Sequence, residues 1–276
     1  MVEMIPESLA ESLKSYFRPA LAFSGGCKSA YLMYACKELG IDMIPYFVVG
    51  DFQTTAELVN VRNLCNRYGF VPRILEFNQL SEENIARNGE DRCYNCKKMM
   101  LSIIIYFAKR DGRGCIMDGT CLSAEPGPWM KALEELGIRS PLKDYGLTRA
   151  DVRELSRESG LTTWDIPSNS CLATRMPTGM PITHDLLRRT NIAEMELRRM
   201  GFKDIRVRTT EDDGALLEVT EKQKGFLDEN MAEAEELLLN YYDSVSFGER
   251  KSQRFFLRPS WSLVFCSGPG RDRLEC

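Results

Sequence analysis

Two rhythms of apolar and polar positions alternate along this chain. In one, apolar side chains recur at helical spacing, which gathers them on one face of a helix; in the other, short apolar runs end in glycine, proline or polar clusters, as buried strands do. Leu9, Leu13 and Phe17 predict a helix over 6–17, leading into a strand at 20–23. A Ser-Gly-Gly turn and a helix marked by Tyr31, Leu32, Ala35 and Leu39 follow, and Met43 to Val49 reads as a second strand. Thr54 and Glu57 fit a capping box for a helix running to Tyr68. A third strand spans Val71 to Phe77, with a short helix or loop from Ser81 to Arg87. A helix over 94–109 precedes the strand Cys115-Ile116-Met117, which enters Asp118-Gly119-Thr120. Trp129 to Leu136 is helical, and Thr148 with Asp151 caps a helix ending near Gly160. Alternating strands and helices predict an α/β fold with a parallel sheet and helices on both faces.

The rhythm changes after residue 165. Ile166-Pro167-Ser168-Asn169-Ser170-Cys171 is a loop that Pro177, Gly179 and Pro181 prolong, followed by a long amphipathic helix from Leu186 to Met200. Two short strands (Ile205 to Arg208, Ala215 to Val219), a helix at 227–242 and a closing strand at 253–257 make a small α+β unit. The expected organisation is an α/β domain over 1–165, an α+β domain over 166–258 and a disordered tail over 259–276, where no periodicity remains.

The chain has 276 residues, 43% hydrophobic and 28% charged, the balance of a soluble globular protein with length enough for a sizeable core. Its longest strongly apolar stretch, Leu101 to Ala108, is too short to cross a bilayer, and acidic Glu3, Glu7 and Glu11 do not resemble a signal sequence. A cytoplasmic, membrane-free homo-oligomer is therefore expected. A net charge of −4 weighs against nucleic acid as the main partner, with tRNA left open. Ten cysteines without a secretory signal read as thiols or metal ligands before disulfides. The single histidine, His184, sits in what reads as a helix entry and is expected at the surface rather than in catalysis.

Three places carry candidate chemistry. The first is Ser24-Gly25-Gly26-Cys27-Lys28-Ser29: glycines admit close backbone approach, and the N–H groups of a helix start favour an anion. An ordinary tight βα turn is the plain alternative. The second is Cys93-Tyr94-Asn95-Cys96 at a helix start, a spacing suited to a shared metal centre or a redox dithiol. Arg92, Lys97 and Lys98 around it are expected to lower the thiol pKa values. The third is Cys171 in the junction loop with Arg175 four residues on, together with Arg206 and Arg208 on one face of a strand. These arginines would form a pocket for phosphate or carboxylate, with Glu194 orienting them; an exposed helix glutamate is the plainer reading of Glu194.

The Ser24-Gly25-Gly26 word resembles the pyrophosphate-binding loop of the PP-loop ATP pyrophosphatases, normally Ser-Gly-Gly-x-Asp-Ser, with Lys28 at the Asp position. Arg92-Cys93-Tyr94-x-Cys96-Lys97, Asp118-Gly119-Thr120, Leu136 to Leu142, Gly146-Leu147-Thr148, Cys171 to Arg175 and Arg206-Val207-Arg208 follow in order. Together they resemble the LarE family of sulfur transferases within that superfamily, over about residues 19 to 220. The resemblance implies adenylation of a carboxylate on a nicotinate-derived mononucleotide, followed by sulfur delivery. It implies nucleotide and phosphate contacts from Ser24, Gly25, Gly26, Lys28, Ser29, Asp118 and Thr120. Some members sacrifice the sulfur of one cysteine, at the position of Cys171; others hold a [4Fe-4S] cluster on three, matched here by Cys93, Cys96 and Cys171. Three thiolates leave one iron open for an extra sulfide. A closed zinc site with Cys115 or Cys121 as fourth ligand is the alternative.

Lys28, and Cys121-Leu122-Ser123-Ala124 where the family carries acidic residues, remove the usual ligands for Mg²⁺. Asp51, Asp118 and Glu125 are the substitutes to consider. The expected function is cluster-dependent sulfur transfer to or from an anionic, nucleotide-like small molecule, with weak or absent use of ATP and Mg²⁺. An ATP-dependent adenylating sulfur transferase for a carboxylate or tRNA, and a non-catalytic metal- or nucleotide-binding protein, are the rival readings.

Overall fold

The structure is a computed structural model that describes residues 4–124, 126–167 and 170–250. Four parallel strands, β1 (Ala20–Ala22), β2 (Ile44–Gly50), β3 (Arg73–Phe77) and β4 (Ile116–Asp118), form a sheet in the order β3-β2-β1-β4. Alternate residues of each strand serve opposite layers. Leu21, Phe47, Ile74 and Met117 face a core built with α1 (Glu7–Ser15), α2 (Cys27–Glu38), α3 (Thr55–Tyr68) and α8 (Arg149–Glu158). Ala20, Tyr46, Val48, Leu75 and Ile116 face a second core built with α5 (Arg92–Arg110) and α6 (Pro128–Glu135). The parallel sheet with helices on both faces is thus present, and the period of two selects the layer for each side chain.

The expected capping boxes are formed. Thr54 accepts from the Glu57 N–H at 3.2 Å and Thr148 from the Asp151 N–H at 3.2 Å, each satisfying a donor that the helix start leaves unpaired. Two short helices, α4 (Glu83–Ala86) and α7 (Pro141–Asp144), complete this part; α7 was not expected. Phe17 falls beyond the end of α1 and is exposed.

Beyond the junction loop, α9 (His184–Arg199) joins two cores. Its first turns place Leu186 and Leu187 in the second core, while Ala193 and Leu197 belong to a third, built on a sheet of β5 (Arg206–Thr209), β6 (Ala215–Val219) and β7 (Val245–Glu249). The helix expected over 227–242 is two, α10 (Lys224–Glu229) and α11 (Met231–Leu239), interrupted at Asn230. β7 stands where no strand was expected and pairs parallel to β6. The strand expected at 253–257 and the tail from 259 lie outside the described residues.

Parallel strands end on one edge, and a helix returning from such a strand starts there too. The Ser24 turn, the start of α5 and the junction loop therefore meet at the carboxyl edge of the sheet. Leu172 N–H donates to Phe52 O at 3.2 Å, just past the end of β2.

Candidate functional site

The glycine turn is held by its own hydroxyls. Ser24 Oγ and Ser29 Oγ lie 3.0 Å apart, the Ser24 N–H donates to Ser29 Oγ at 3.3 Å, and the Gly26 N–H donates to Ser24 Oγ at 3.4 Å. Gly25 has φ of +70°, and a Cβ there would lie 3.0 Å from Val61 Cγ2. Gly26 caps α2 with no side-chain hydrogen bond, so the first-turn N–H groups keep their affinity for an anion. A Cβ on Gly119 would lie 3.0 Å from Ser29 N and 3.2 Å from Lys28 Cβ, so the turn after β4 packs directly on the start of α2.

Around that turn the carboxylates are engaged. Asp118 is buried and accepts from the Thr120 N–H at 3.1 Å, Thr120 Oγ1 at 2.6 Å and Ser140 Oγ at 2.8 Å. Asp51 accepts from the Leu80 N–H at 3.1 Å and lies 3.3 Å from His184 Nδ1. Cys121, the first residue of the word that replaces the family's acidic one, is fully buried in the first core. Glu125 lies outside the described residues. His184 is the first residue of α9 and 72% exposed, the surface position expected of it.

The thiols gather on the other layer. Cys93 and Cys96 lie in the first turns of α5, and Cys171 opens a 3₁₀ turn, Leu172–Arg175. Cys96 and Cys171 both pack against the second core, and each lies within electrostatic reach of Cys93. Among the described residues, no group of three His, Cys, Asp or Glu side chains is arranged to hold a single metal ion. The expectation of a lowered thiol pKa is corrected for Cys96. Burial pushes Cys96 up to about 12, with the neighbouring thiols adding to the rise, and burial raises Cys171 as well, against the opposing pull of Arg92 and Arg175. Lys98 turns away to Glu135, at 2.7 Å.

Three guanidinium groups converge on the backbone of the Cys171 turn. Arg92 donates to Ala173 O at 3.0 Å and to Cys93 Sγ at 3.3 Å. Arg175 donates to Ser170 O at 2.8 Å and Cys171 O at 3.3 Å, and Arg208 to Thr174 O at 2.6 Å. Arg175 is 1% exposed and pairs with Glu194, 2% exposed, at 2.8 Å. Glu194 also accepts from Arg198 at 2.8 Å and the Val207 N–H at 3.2 Å. The exposed reading of Glu194 is thus corrected, and Arg175 is an interior latch rather than the wall of an open pocket. Burial opposes the Glu194 charge, yet the guanidiniums of Arg175 and Arg198 hold its carboxyl below the usual glutamate range.

Arg206 differs from its neighbours. Its half-buried guanidinium has a buried Nε without a hydrogen-bond partner among the described residues, and its acidic neighbour Glu218 is bonded to Arg208 at 2.8 Å. Burial and the charges of Arg250, Arg175 and Arg208 push it down to about 10, so it remains a cation at neutral pH.

No family model matches the chain. The pyridinium-3,5-bisthiocarboxylic acid mononucleotide synthase of Lactiplantibacillus plantarum is 32% identical over 222 residues, covering 79% of this chain and 80% of that protein. The chain belongs to the LarE family of PP-loop sulfur transferases. An uncharacterized protein of Synechocystis sp. is 30% identical over 213 residues (75% of this chain, 80% of that one). Another, of Methanocaldococcus jannaschii, is 26% identical over 205 residues (72% and 78%). In this LarE-family chain the α/β sheet carries the Ser24 turn on one layer and the thiols on the other. Sequence reading passed over Asn88, which the structure places at the foot of α5 with its amide on Pro177 O and Met180 O. The signal available for it was the Asn88-Gly89 pair, a turn word directly before a helix.

Proposed function

We propose that this chain moves sulfur to or from an anionic, nucleotide-like small molecule, with Cys93, Cys96 and Cys171 as ligands of a [4Fe-4S] cluster where a PP-loop unit (1–165) meets a smaller one (from 166). The observation that carries this reading is the gathering of the three thiols around one arginine-braced turn, with the unpartnered Nε of Arg206 on the adjoining strand. The donor set suits the group. A cubane takes each thiolate at a different iron, so its ligands need not point at one spot as those of a single ion do. Cys121 packs in the opposite core and Cys115 precedes the far end of β4, so neither is placed as a fourth ligand among the described residues. When bound, such a cluster supplies an open iron for the sulfide in transit.

The protein's own groups do the rest. Arg175 and Glu194 fix the turn that presents Cys171, Arg208 ties it to β5, and Arg206 binds the anionic end of the substrate. The PP-loop turn, with its first-turn N–H groups, Ser24, Ser29 and Lys28, holds a phosphate. With Asp118 bonded to Thr120 and Ser140 and Lys28 offering no carboxylate for Mg²⁺, the direction that balances without adenylation is release. Water would replace sulfur on a thiocarboxylate, leaving a carboxylate, a proton and a hydrosulfide that the group held by the three thiolates would take up. The relative from Lactiplantibacillus plantarum is named for a pyridinium bisthiocarboxylic acid mononucleotide, so pyridine mononucleotides are the substrate class to try. The test is anaerobic incubation of iron- and sulfide-loaded protein with a thiocarboxylated pyridine mononucleotide in one arm and the carboxylate form in the other. Conversion of the thiocarboxylate to the carboxylate without ATP, read by mass spectrometry and lost in Cys171→Ser, is expected in the first arm. Two silent arms would contradict the proposal.

A further inference from the structure

A knot of polar groups at the foot of α5 is not used by the function proposed above. Asn88 is fully buried and has φ of +59°, a left-handed conformation that asparagine tolerates and most residues do not. Its Nδ2 donates to Pro177 O at 2.8 Å and Met180 O at 2.9 Å, its carbonyl accepts from the Gly179 N–H at 2.8 Å, and its Oδ1 accepts from Arg92. One side chain therefore stitches the junction loop to the entry of the thiol helix. Arg92 extends the stitch, with one nitrogen on Ala173 O at 3.0 Å and the other on Cys93 Sγ at 3.3 Å. The Ile182 N–H, bonded to Ala86 O at 2.8 Å, closes the seam on its far side.

We propose that Asn88 and Arg92 are positioning residues: together they form the joint that sets where Cys171 stands relative to Cys93 and Cys96. This rests on the reading that the three thiols act together. Cys171 belongs to a loop far from α5 in sequence, and its neighbourhood to Cys93 depends on what spans the gap. A guanidinium is a planar fork whose donors hold fixed directions, so bonding Ala173 O and Cys93 Sγ at once fixes a separation as well as an attraction. A lysine ammonium is a point charge on a flexible stem and does not supply that constraint. Asn88 holds the opposite end of the same loop, so that the turn cannot pivot about Arg92. Its buried amide donors serve the loop carbonyls, which would otherwise lie unsatisfied.

The test reads thiol separation directly. The reduced full-length chain is treated with dibromobimane, which bridges two thiols only when they are close, and the linked peptides are mapped by mass spectrometry. Cys93 and Cys96, three residues apart on one helix, supply an internal reference whose separation is set by α5 itself, even though Arg92 bonds Cys93 Sγ. Asn88→Gly keeps the backbone conformation and deletes only the amide; Arg92→Lys keeps the charge and deletes the fork. The wild-type chain should give both the Cys93–Cys96 product and a bridge from α5 to Cys171. In each variant the bridge to Cys171 should fall about tenfold, the scale of one charge-assisted hydrogen bond, with the competing Cys93–Cys96 product retained or increased. An unchanged bridge in both variants, its absence from wild type, or an equal fall of both products would overturn the proposal. Iron uptake, measured separately, decides the cluster reading, and a chain that takes no iron but shows this pattern retains the joint.

Discussion

Arg175 and Arg206 are the same residue type with opposite circumstances, and they should answer differently to mutation. Arg175 is bonded to Glu194 and to the carbonyls of the Cys171 turn, whereas the Nε of Arg206 has no partner among the described residues. Arg206→Ala should weaken binding of a phosphate-bearing substrate by on the order of 2–3 kcal/mol, the range for charge-assisted hydrogen bonds, and leave any metal content intact. Equilibrium titration with the substrate or inorganic phosphate checks this; unchanged affinity would return Arg206 to a structural role. Glu194 sets a second expectation. Its carboxyl is held below its ordinary pKa, so its stabilisation is full above the normal glutamate range and is lost as pH falls through the lowered value. Thermal unfolding across acid pH should show that loss, and Glu194→Gln should be less stable at neutral pH, by about 3 kcal/mol, with a flatter acid dependence. The sequence displayed both arginines and the thiol words but not these fates. A glutamate on an amphipathic helix looks solvent-facing unless the guanidinium that will cover it, from residue 175, is already known to lie there.

At the scale of elements, the strands with clean period two and the helices with capping boxes were legible, because their signals are local. β7 was not, since Val245-Ser246-Phe247-Gly248-Glu249 is short, half polar and defined by its parallel partner β6. The break at Asn230 is equally silent, because the apolar spacing of 227–242 runs through it. Another element-scale feature is the contact between the turn after β4 and the start of α2. Gly119→Ala would push a methyl group against Ser29 N and Lys28 Cβ, at 3.0 and 3.2 Å. It should cost about 1–3 kcal/mol of stability and weaken phosphate binding at the Ser24 turn, read by denaturant unfolding and phosphate titration. Wild-type stability and binding in that variant would show that the two turns are not packed as described. The same turn should release little or no pyrophosphate from ATP and Mg²⁺, because Asp118 is bonded to Thr120 and Ser140 and Lys28 offers no oxygen. Robust release that disappears in Gly26→Ala would reverse that expectation.

For the molecule as a whole, the parallel sheet brings the two kinds of site to one edge, and α9 ties the second core to the third. The PP-loop and thiol words were readable one by one. Their arrangement, with the Ser24 turn on the α2 layer and the thiols on the α5 layer, needed the strand order β3-β2-β1-β4, which no local pattern states. The central claim is that Cys93, Cys96 and Cys171 serve one iron–sulfur centre. Iron, sulfide and zinc analysis of anaerobically prepared protein, with an absorption spectrum, tests it most directly. The account predicts about four irons per chain, as a cubane holds, lost when Cys93, Cys96 or Cys171 becomes serine and retained in Cys36→Ser and Cys65→Ser. Stoichiometric zinc without iron in that preparation would contradict it.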